Sequence, residues 1–213
     1  MTKKDHIYAP VAVGSEFLGS ASHAPEFPPS PSVEVAFAGR SNVGKSTLLN
    51  LMLGQKLAHT SSTPGRTRTL NFFGVKTRGG SALTFVDLPG YGYAKRAKEE
   101  RFAWGEFVER YLLERLPLAL VIVLVDARRG PEHDDLELLK MIKDARPGGR
   151  DAPRVLMVAT KLDKLPLAQR KPALAALARS GFSVIGVSAS DPASIDALWR
   201  RVLLAVGLEQ KAT

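Results

Sequence analysis

A lysine and a serine follow a glycine-rich stretch in residues 39–47, GRSNVGKST. Four residues separate Gly39 from Gly44, and Lys45 and Ser46 come next. This is the spacing of a phosphate-binding loop, whose backbone N–H groups surround a polyphosphate. The lysine of such a loop reaches the outer phosphates, and the serine hydroxyl ligates Mg²⁺. A helix that begins here adds the positive end of its dipole, which also favours an anion.

The residues on either side of this loop show whether it is a phosphate site or a glycine-rich turn that matches the motif by chance. Residues 33–38, VEVAFA, are an apolar run typical of a buried strand, and residues 47–53, TLLNLML, continue as a helix that Gly54 can end. Strand, loop and helix are the context that the motif requires. The residues predicted to contact nucleotide from this loop are Gly39, Arg40, Ser41, Asn42, Val43, Gly44, Lys45, Ser46 and Thr47.

A second candidate segment, Asp87-Leu88-Pro89-Gly90, follows the strand predicted at residues 83–87. The ends of strands in an α/β sheet deliver side chains to the ligand edge. We predict that Asp87 holds Mg²⁺ through water and that the Gly90 N–H reaches the γ-phosphate. Leu88 and Pro89 complete this contact segment. The motif alone is weak evidence for a nucleotide site, but it is good evidence when it follows a phosphate loop.

Residues 160–163, Thr160-Lys161-Leu162-Asp163, follow another predicted strand and favour guanine. A carboxylate at Asp163 can accept both the N1–H and the exocyclic N–H of guanine. Adenine has no donor at either place, so Asp163 would remain unpaired and ATP would be rejected. Lys161 is predicted to lie along the base. In isolation this tetrapeptide would more often be a charged surface turn; its order and position favour base recognition.

The last strand predicted along the chain ends at Val187, and Ser188-Ala189 follow it. Backbone N–H groups at these positions can bond guanine O6. This is the least specific of the four motifs, since Ser-Ala is a common dipeptide.

Length and composition limit the remaining possibilities. A chain of 213 residues suffices for one α/β domain with a full core. The absence of cysteine excludes disulfides, thiol nucleophiles and cysteine metal sites, and it fits the cytoplasm. No signal-peptide pattern begins the chain. The most apolar run, residues 118–125, is too short to span a membrane and is typical of a strand in a parallel sheet.

The net charge of +9 points to a polyanionic partner, of which RNA is the commonest, although a protein can also be basic without one. Two groups of basic side chains are candidates for this contact. They are Lys95, Arg96, Lys98 and Arg101 after the second motif, and Arg128 and Arg129 after the central strand. The alternative for each group is an ordinary solvated face.

The alternation of apolar strands and amphipathic helices predicts a three-layer α/β/α domain with a mostly parallel sheet of six or seven strands. Residues 70–76 and 83–87, around Gly79-Gly80, predict one antiparallel hairpin at its edge. We predict that Phe72 and Phe73 in this hairpin are core residues; a platform for base stacking is the alternative. Residues 1–32 are interpreted as an edge strand near residues 9–13 and a proline-rich connector, residues 33–207 as the main domain, and residues 208–213 as a tail.

The four motifs occur in the order found in translation-factor-type GTPases. Their sequences resemble those of the EngB family (also called YsxC or YihA), within the TrmE-Era-EngA-EngB-septin-like superfamily. The resemblance covers about residues 33–206 and is most specific in GRSNVGKST, TSSTPGRTRTLNFF and DLPGYGYA. It implies a single-domain bacterial P-loop GTPase that binds GTP, GDP and Mg²⁺. It further implies a cytoplasmic monomer that acts in large ribosomal subunit assembly and normal cell division.

The family's switch segment implies that Thr67 ligates Mg²⁺, with Gly65, Arg66, Arg68 and Thr69 beside the nucleotide. Thr60, Thr63 and Thr69 are weaker candidates for the metal ligand. This chain begins its base motif with Thr160, where the family has either Asn or Thr, and so has one fewer amide to tie the loops together.

The position after Gly90 holds Tyr91, where many GTPases place a glutamine that orients water. We therefore predict slow intrinsic hydrolysis that depends on Lys45, Thr67, Gly90 and Asn42. In related potassium-activated GTPases, an asparagine at the place of Asn42 helps to hold K⁺ beside the phosphates. Here Asn42 either does the same or only shapes the loop, and Arg66 and Arg68 are alternative sources of positive charge.

Two functions remain open from the sequence. The first is a GTP-hydrolysing switch that docks on the large ribosomal subunit or its precursor, with rRNA contacts from the basic surface of the domain itself. The second is a protein-binding switch on the division machinery that does not touch RNA directly.

Overall fold

The computed structural model describes residues 11–58, 69–91, 98–144 and 152–208, with the backbone alone for residues 98–104. Its strands are β1 (Ala12–Ala21), β2 (Val33–Gly39), β3 (Leu70–Thr77), β4 (Ala82–Asp87), β5 (Leu118–Asp126), β6 (Arg154–Thr160) and β7 (Ser183–Gly186). Its α-helices are α1 (Lys45–Leu53), α2 (Lys98–Glu114), α3 (His133–Asp144), α4 (Leu167–Ala178) and α5 (Pro192–Ala205).

The seven strands form one sheet in the order β1-β3-β4-β2-β5-β6-β7. Neighbouring strands from β4 to β7 run parallel, whereas β3 runs antiparallel to both β1 and β4. The predicted mostly parallel sheet and the hairpin of β3 and β4 are therefore confirmed. Because the parallel strands share one direction, their carboxyl ends meet at the same edge of the sheet.

Hydrophobic side chains fill both faces of the sheet and give the predicted three layers. On one face Phe37 and Phe85 pack with Leu49 of α1 and Trp199 of α5. The other face carries the cluster that includes Val123 of β5, Tyr111 of α2, Leu139 of α3 and Leu177 of α4. The central strand β5 contributes to both clusters, as its uninterrupted apolar sequence predicts.

The predicted edge strand near residues 9–13 is wrong in its extent. The strand that pairs with β3 runs over Ala12–Ala21, with Ala12 opposite Thr77 and Ala21 opposite Leu70. The strand is hard to recognise in the sequence because its two glycines have low strand propensity. Pairing with β3 supplies the backbone hydrogen bonds, and the Phe17 ring lies 5.6 Å from that of Phe73. Tertiary contacts thus override the local preference.

The other predicted elements lie within a few residues of the observed ones. Phe72 and Phe73 are buried, at 0% and 1% exposure, so the core interpretation is confirmed and the stacking platform is excluded. Within the described part of the chain, no helix is long and apolar enough to cross a membrane.

Candidate functional site

The phosphate loop connects the end of β2 to the first residue of α1, at the carboxyl edge of the sheet. Gly44 adopts φ 105° and Asn42 φ 65°, so the backbone reverses within a few residues. Residues that carry a side chain rarely adopt these backbone angles. This explains the glycine at position 44 and indicates local backbone strain at Asn42. A Cβ atom on Gly39 would lie 2.9 Å from Val43 Cγ1, so this position is closely packed too.

Lys45 and Asp87 meet at the centre of the site. The Lys45 ammonium donates to Asp87 Oδ1, and the two side chains are only 11% and 8% exposed. Lys45 begins α1, and Asp87 ends β4, which is paired with β2. The structure therefore places two residues that lie far apart in sequence within one polar contact at the mouth of the phosphate loop.

The oxygen donors near this pair suit a magnesium ion. Ser46 lies in the first turn of α1, one residue after Lys45, and Asp87 supplies a carboxylate. Hydroxyl, carboxylate, water and phosphate oxygens are the ligands that Mg²⁺ prefers, and two protein ligands are usual when a nucleotide provides the rest. No group of three or more His, Asp or Glu side chains in the described residues makes a separate metal site.

The segment after Asp87 lies along the phosphate loop. The Leu88 N–H donates to the Phe37 carbonyl over 3.0 Å, and Leu88 and Pro89 are buried. Gly90 is so close to the loop that a Cβ there would lie 3.1 Å from Ser41 Oγ. This close approach places the Gly90 backbone beside the loop, as the predicted phosphate contact requires.

Arg40 is the member of the predicted loop set whose side chain extends elsewhere. Its guanidinium pairs with Glu132, just before α3. The side chain of Arg40 is therefore held by Glu132, and only the backbone of Arg40 forms part of the phosphate loop. Ser41 and Val43 are held by backbone hydrogen bonds, from Ser41 N–H to the Tyr91 carbonyl and from Val43 N–H to the Arg40 carbonyl.

The base motif is tied to the phosphate loop through two side chains. The Thr160 hydroxyl donates to the Val43 carbonyl over 2.7 Å, although Thr160 was expected to tie the loops less well than asparagine. The Lys161 ammonium donates to the Asn42 carbonyl over 2.6 Å. Among the described residues other than glycine, Asn42 and Lys161 alone have positive φ angles, so this contact joins the two strained positions.

Asp163 lies at the start of the next helical turn and faces the loop after β7. The Ser188 hydroxyl donates to Asp163 Oδ1 over 2.9 Å. This hydrogen bond is the main cause that lowers the pKa of Asp163 below its usual value. Val187 and Ser188 are buried, whereas Ala189 is exposed. The two loops predicted to hold the base are therefore adjacent, and Leu162 N–H donates to the Val187 carbonyl over 3.4 Å.

Part of the predicted site lies outside the described residues. This holds for Gly65, Arg66, Thr67 and Arg68, and for Thr60 and Thr63. It also holds for Lys95 and Arg96, and the side chains of Lys98 and Arg101 are not described. Thr69 is described, and its hydroxyl lies 3.4 Å from Asn71 Oδ1.

Asp126, at the end of β5, is a site residue that the motifs did not reveal. It accepts hydrogen bonds from the Arg128 guanidinium at 2.6 and 2.9 Å, and Lys161 Nζ lies 3.2 Å away. These cations lower the pKa of Asp126, with Arg128 as the largest cause. Its position at the carboxyl end of a central strand was the signal that could have identified it.

A cavity of about 220 Å³ lies beside this group, between the phosphate loop and the start of α3. Its lining includes Asn42, Asp126 and Lys161, together with Arg40, Arg128, Arg129, Glu132 and Asp135. Arg128, predicted as part of a basic patch, is therefore engaged with Asp126 in the site. Arg129 is 69% exposed and lies 3.6 Å from Glu132.

Comparison with known proteins agrees with this geometry. A model of the family described as "50S ribosome-binding GTPase" matches residues 34–161. A protein of Anaeromyxobacter sp. (strain Fw109-5), named as a probable GTP-binding protein EngB, is 44% identical over 200 residues. That alignment covers 89% of this chain and 90% of the relative.

Solved structures share the fold. A crystal structure of an EngB protein aligns with a TM-score of 0.63 at 22% identity, over 83% of this chain and all of that one. A structure of Era in complex with MgGDPNP and nucleotides of 16S ribosomal RNA aligns with a TM-score of 0.66 at 26% identity. It covers 82% of this chain and 56% of the Era chain, so the similarity is confined to one part of Era.

Proposed function

Since the chain belongs to the EngB family of GTP-binding proteins and has its GTPase domain, we propose that it is a slowly hydrolysing GTP switch for large ribosomal subunit assembly. On this proposal it works as a cytoplasmic monomer and is required for normal cell division and septation. The observation that carries the proposal is the meeting of a phosphate-binding pair, Lys45 and Asp87, with a base-reading pair, Asp163 and Ser188, along one sheet edge.

The phosphate end of the site works by charge and by backbone donors. Lys45 exchanges its contact with Asp87 for the outer phosphates, and the loop amides and the α1 dipole stabilise the inner ones. Mg²⁺, held by Ser46, Thr67 and, through water, Asp87, would neutralise the charge that develops on the phosphates. Gly90 and Thr67 contact the γ-phosphate, so their positions distinguish GTP from GDP.

The guanine end works by matching donors with a fixed acceptor. The Ser188 hydroxyl holds Asp163 in place and lowers its pKa, so the ionised carboxylate can accept the two N–H groups of the base. The backbone N–H of Ser188 already donates to Ser194 Oγ, in the first turn of α5, over 3.1 Å. This contact leaves the N–H of Ala189 as the stronger candidate for guanine O6.

Hydrolysis is proposed to be slow because Tyr91 cannot orient water as a glutamine does. The tyrosine is 9% exposed, and its hydroxyl donates to Asp135 over 2.7 Å, which supports this assignment. Asn42 has two open roles, a K⁺ ligand or a loop former. Equal turnover in K⁺ and Na⁺ buffers would assign it the second role, and faster turnover in K⁺ the first.

The ribosome is proposed as the partner on two grounds. The matching family is described as 50S ribosome-binding, and the chain carries a net charge of +9. Basic residues beside the second motif, Lys95, Arg96, Lys98 and Arg101, together with the exposed Arg129, are proposed to contact rRNA phosphates. Control of the nearby switch by nucleotide would then control this contact.

Sedimentation with purified large subunits tests the proposal. The protein is centrifuged with subunits in the presence of a nonhydrolysable GTP analogue, GDP or no nucleotide, at two salt concentrations. We expect salt-sensitive pelleting with the analogue and little with GDP. Binding to a division protein that survives ribonuclease, with no pelleting in any nucleotide state, would instead support the protein-binding switch.

A further inference from the structure

We propose that Asp135, at the start of α3, is a positioning residue for the γ-phosphate contact. It fixes the side chain of Tyr91 and thereby holds the adjoining Gly90 against the phosphate loop. The inference rests on the proposed function, in which the Gly90 N–H meets the γ-phosphate. It extends that function to a helix that no nucleotide motif includes.

The backbone of Tyr91 is attached to the phosphate loop on both sides. Its N–H donates to the Gly39 carbonyl over 3.4 Å, and its carbonyl accepts from the Ser41 N–H over 3.1 Å. These two bonds form an isolated parallel bridge between Arg40 and Tyr91. The peptide that joins Gly90 to Tyr91 therefore moves with the loop for as long as this bridge is intact.

The side chain of Tyr91 is held from the opposite direction. Its hydroxyl donates to Asp135 Oδ1 over 2.7 Å, and Asp135 is only 1% exposed. The other oxygen, Asp135 Oδ2, accepts from the Glu132 N–H over 2.8 Å. Both carboxylate oxygens are thus engaged, and the direction of the carboxylate, and of the phenol bound to it, is fixed.

The phosphate loop reaches the same turn independently. Arg40 pairs with Glu132, whose N–H is the group that orients Asp135. The first turn of α3 therefore receives one contact from the loop and one from the residue after Gly90. This arrangement sets the distance between the two parts that must close on the γ-phosphate.

Burial keeps the Tyr91 hydroxyl protonated, so that it can donate to Asp135. Burial and the neighbouring Asp135 charge raise the pKa of the Tyr91 phenol, so the hydroxyl remains protonated and donates. A phenylalanine would keep its ring in the hydrophobic cluster to which Tyr91, Leu88, Ala38 and Val125 belong. The Tyr91 hydroxyl therefore orients the ring through its hydrogen bond and adds little to the packing, as expected of a positioning contact.

Losing the contact should change discrimination between nucleotides rather than binding in general. Without the Asp135 contact, Gly90 must be ordered when the γ-phosphate arrives, and ordering a group of this kind weakens binding by about three- to tenfold. GDP has no γ-phosphate, so its affinity should stay within about twofold. Single-turnover hydrolysis should fall together with affinity for the GTP analogue.

The test compares Tyr91→Phe, Asp135→Asn and the double variant with the wild-type protein. Affinities for a nonhydrolysable GTP analogue and for GDP are measured by fluorescence, and hydrolysis by single turnover. We expect each single variant to lower the ratio of analogue affinity to GDP affinity. We expect the double variant to match Tyr91→Phe, because Asp135 acts through the hydroxyl that this variant lacks.

Tyr111→Phe provides a matched control. The Tyr111 hydroxyl also donates to a buried carboxylate, Glu34 Oε2 at 2.9 Å, but it does so on the α2 side of the core. This variant loses the same kind of hydrogen bond and should leave the affinity ratio unchanged. The inference is overturned if Tyr111→Phe lowers the ratio equally, or if Tyr91→Phe weakens GDP and the analogue by the same factor.

Gly90→Ala separates this inference from the function on which it rests. A Cβ at Gly90 would crowd Ser41 and displace the backbone that meets the γ-phosphate. If Gly90→Ala lowers the ratio and Tyr91→Phe does not, the Asp135 inference is wrong and the Gly90 role stands. If Gly90→Ala leaves the ratio unchanged, the proposed γ-phosphate contact is wrong, and the inference is rejected with it.

Discussion

The Ser188 hydroxyl donates to Asp163 Oδ1 over 2.9 Å and joins two loops whose residues lie 25 positions apart. One loop follows β6 and the other follows β7, and these strands are neighbours in the sheet. The contact holds two short motifs from separate strand ends together in the proposed base-reading site. It also extends the ionised range of the carboxylate to lower pH, because its pKa is lowered mainly by this bond.

Replacing Ser188 with alanine should shift the pH dependence of guanine-nucleotide affinity. Only the ionised form of Asp163 accepts both N–H groups of the base, so affinity falls as pH decreases through the pKa. The Ser188 hydrogen bond lowers that pKa. In Ser188→Ala the pKa rises towards the ordinary aspartate value of about 3.9, and the decrease begins at higher pH. GDP titrations from neutral to acidic pH measure the shift.

The control for this prediction is Ser183→Ala, at the exposed first residue of β7. It removes a hydroxyl from the strand that leads into the Ser188 loop, and its profile should coincide with that of the wild type. Identical acid limbs in Ser188→Ala and wild type would show that the hydrogen bond does not set the ionisation of Asp163.

Replacing Lys45 with alanine should weaken GDP binding by about 10- to 100-fold, the range expected when one hydrogen bond to a charged group is lost. Lys171→Ala, on the exposed face of α4, is the matched lysine control. An affinity for GDP within about threefold of wild type would refute the role assigned to Lys45.

Replacing Arg115 with alanine should destabilise the fold without altering the site. Arg115 pairs at 2.6 Å with Glu34, which is fully buried, and it also donates to the Pro28 carbonyl. Removing one partner of a buried pair costs about 3–5 kcal/mol of unfolding free energy. Denaturant unfolding measures this loss, and nucleotide affinity of the folded variant should not change.

Arg110→Ala is the comparison for that variant. Arg110 pairs with Glu114 on the surface of α2, where both side chains are more than half exposed. Such pairs contribute about 0–1 kcal/mol. Equal losses of stability in the two arginine variants would contradict the assignment of Arg115 and Glu34 as a buried structural pair.

The sequence predicted the parts of the site that have local signatures. Asp87 and Thr160 end strands, Gly90 and Asp163 follow those strands, and Lys45 begins a helix. Strand ends in a parallel sheet must meet at one edge. The positions of the parallel strands, together with the fully buried Phe72 and Phe73, followed from apolar patterns in the same way.

Contacts between distant segments had no such signature. The hydrogen bond between Tyr91 and Asp135 joins residues separated by 44 positions. Neither residue has a sequence signature that would predict this contact. Arg128 was interpreted as a surface cation because its pairing with Asp126 depends on the turn after β5. The strand β1 was misplaced for a related reason, since β3 rather than its own residues stabilises it.

Recognition of guanine by Asp163 is proposed to control docking on the large ribosomal subunit, and the Asp163→Asn variant tests this proposal. Xanthine carries a carbonyl where guanine carries its amino group, so an asparagine amide can donate to xanthine while Asp163 accepts from guanine. The variant and the wild type are each centrifuged with large subunits and a nonhydrolysable analogue of GTP or of xanthosine triphosphate. We expect the wild type to pellet with the guanine analogue and Asp163→Asn to pellet with the xanthine analogue. Pelleting of the variant that is equal with both analogues, or that needs neither, would show that base recognition at Asp163 does not control docking.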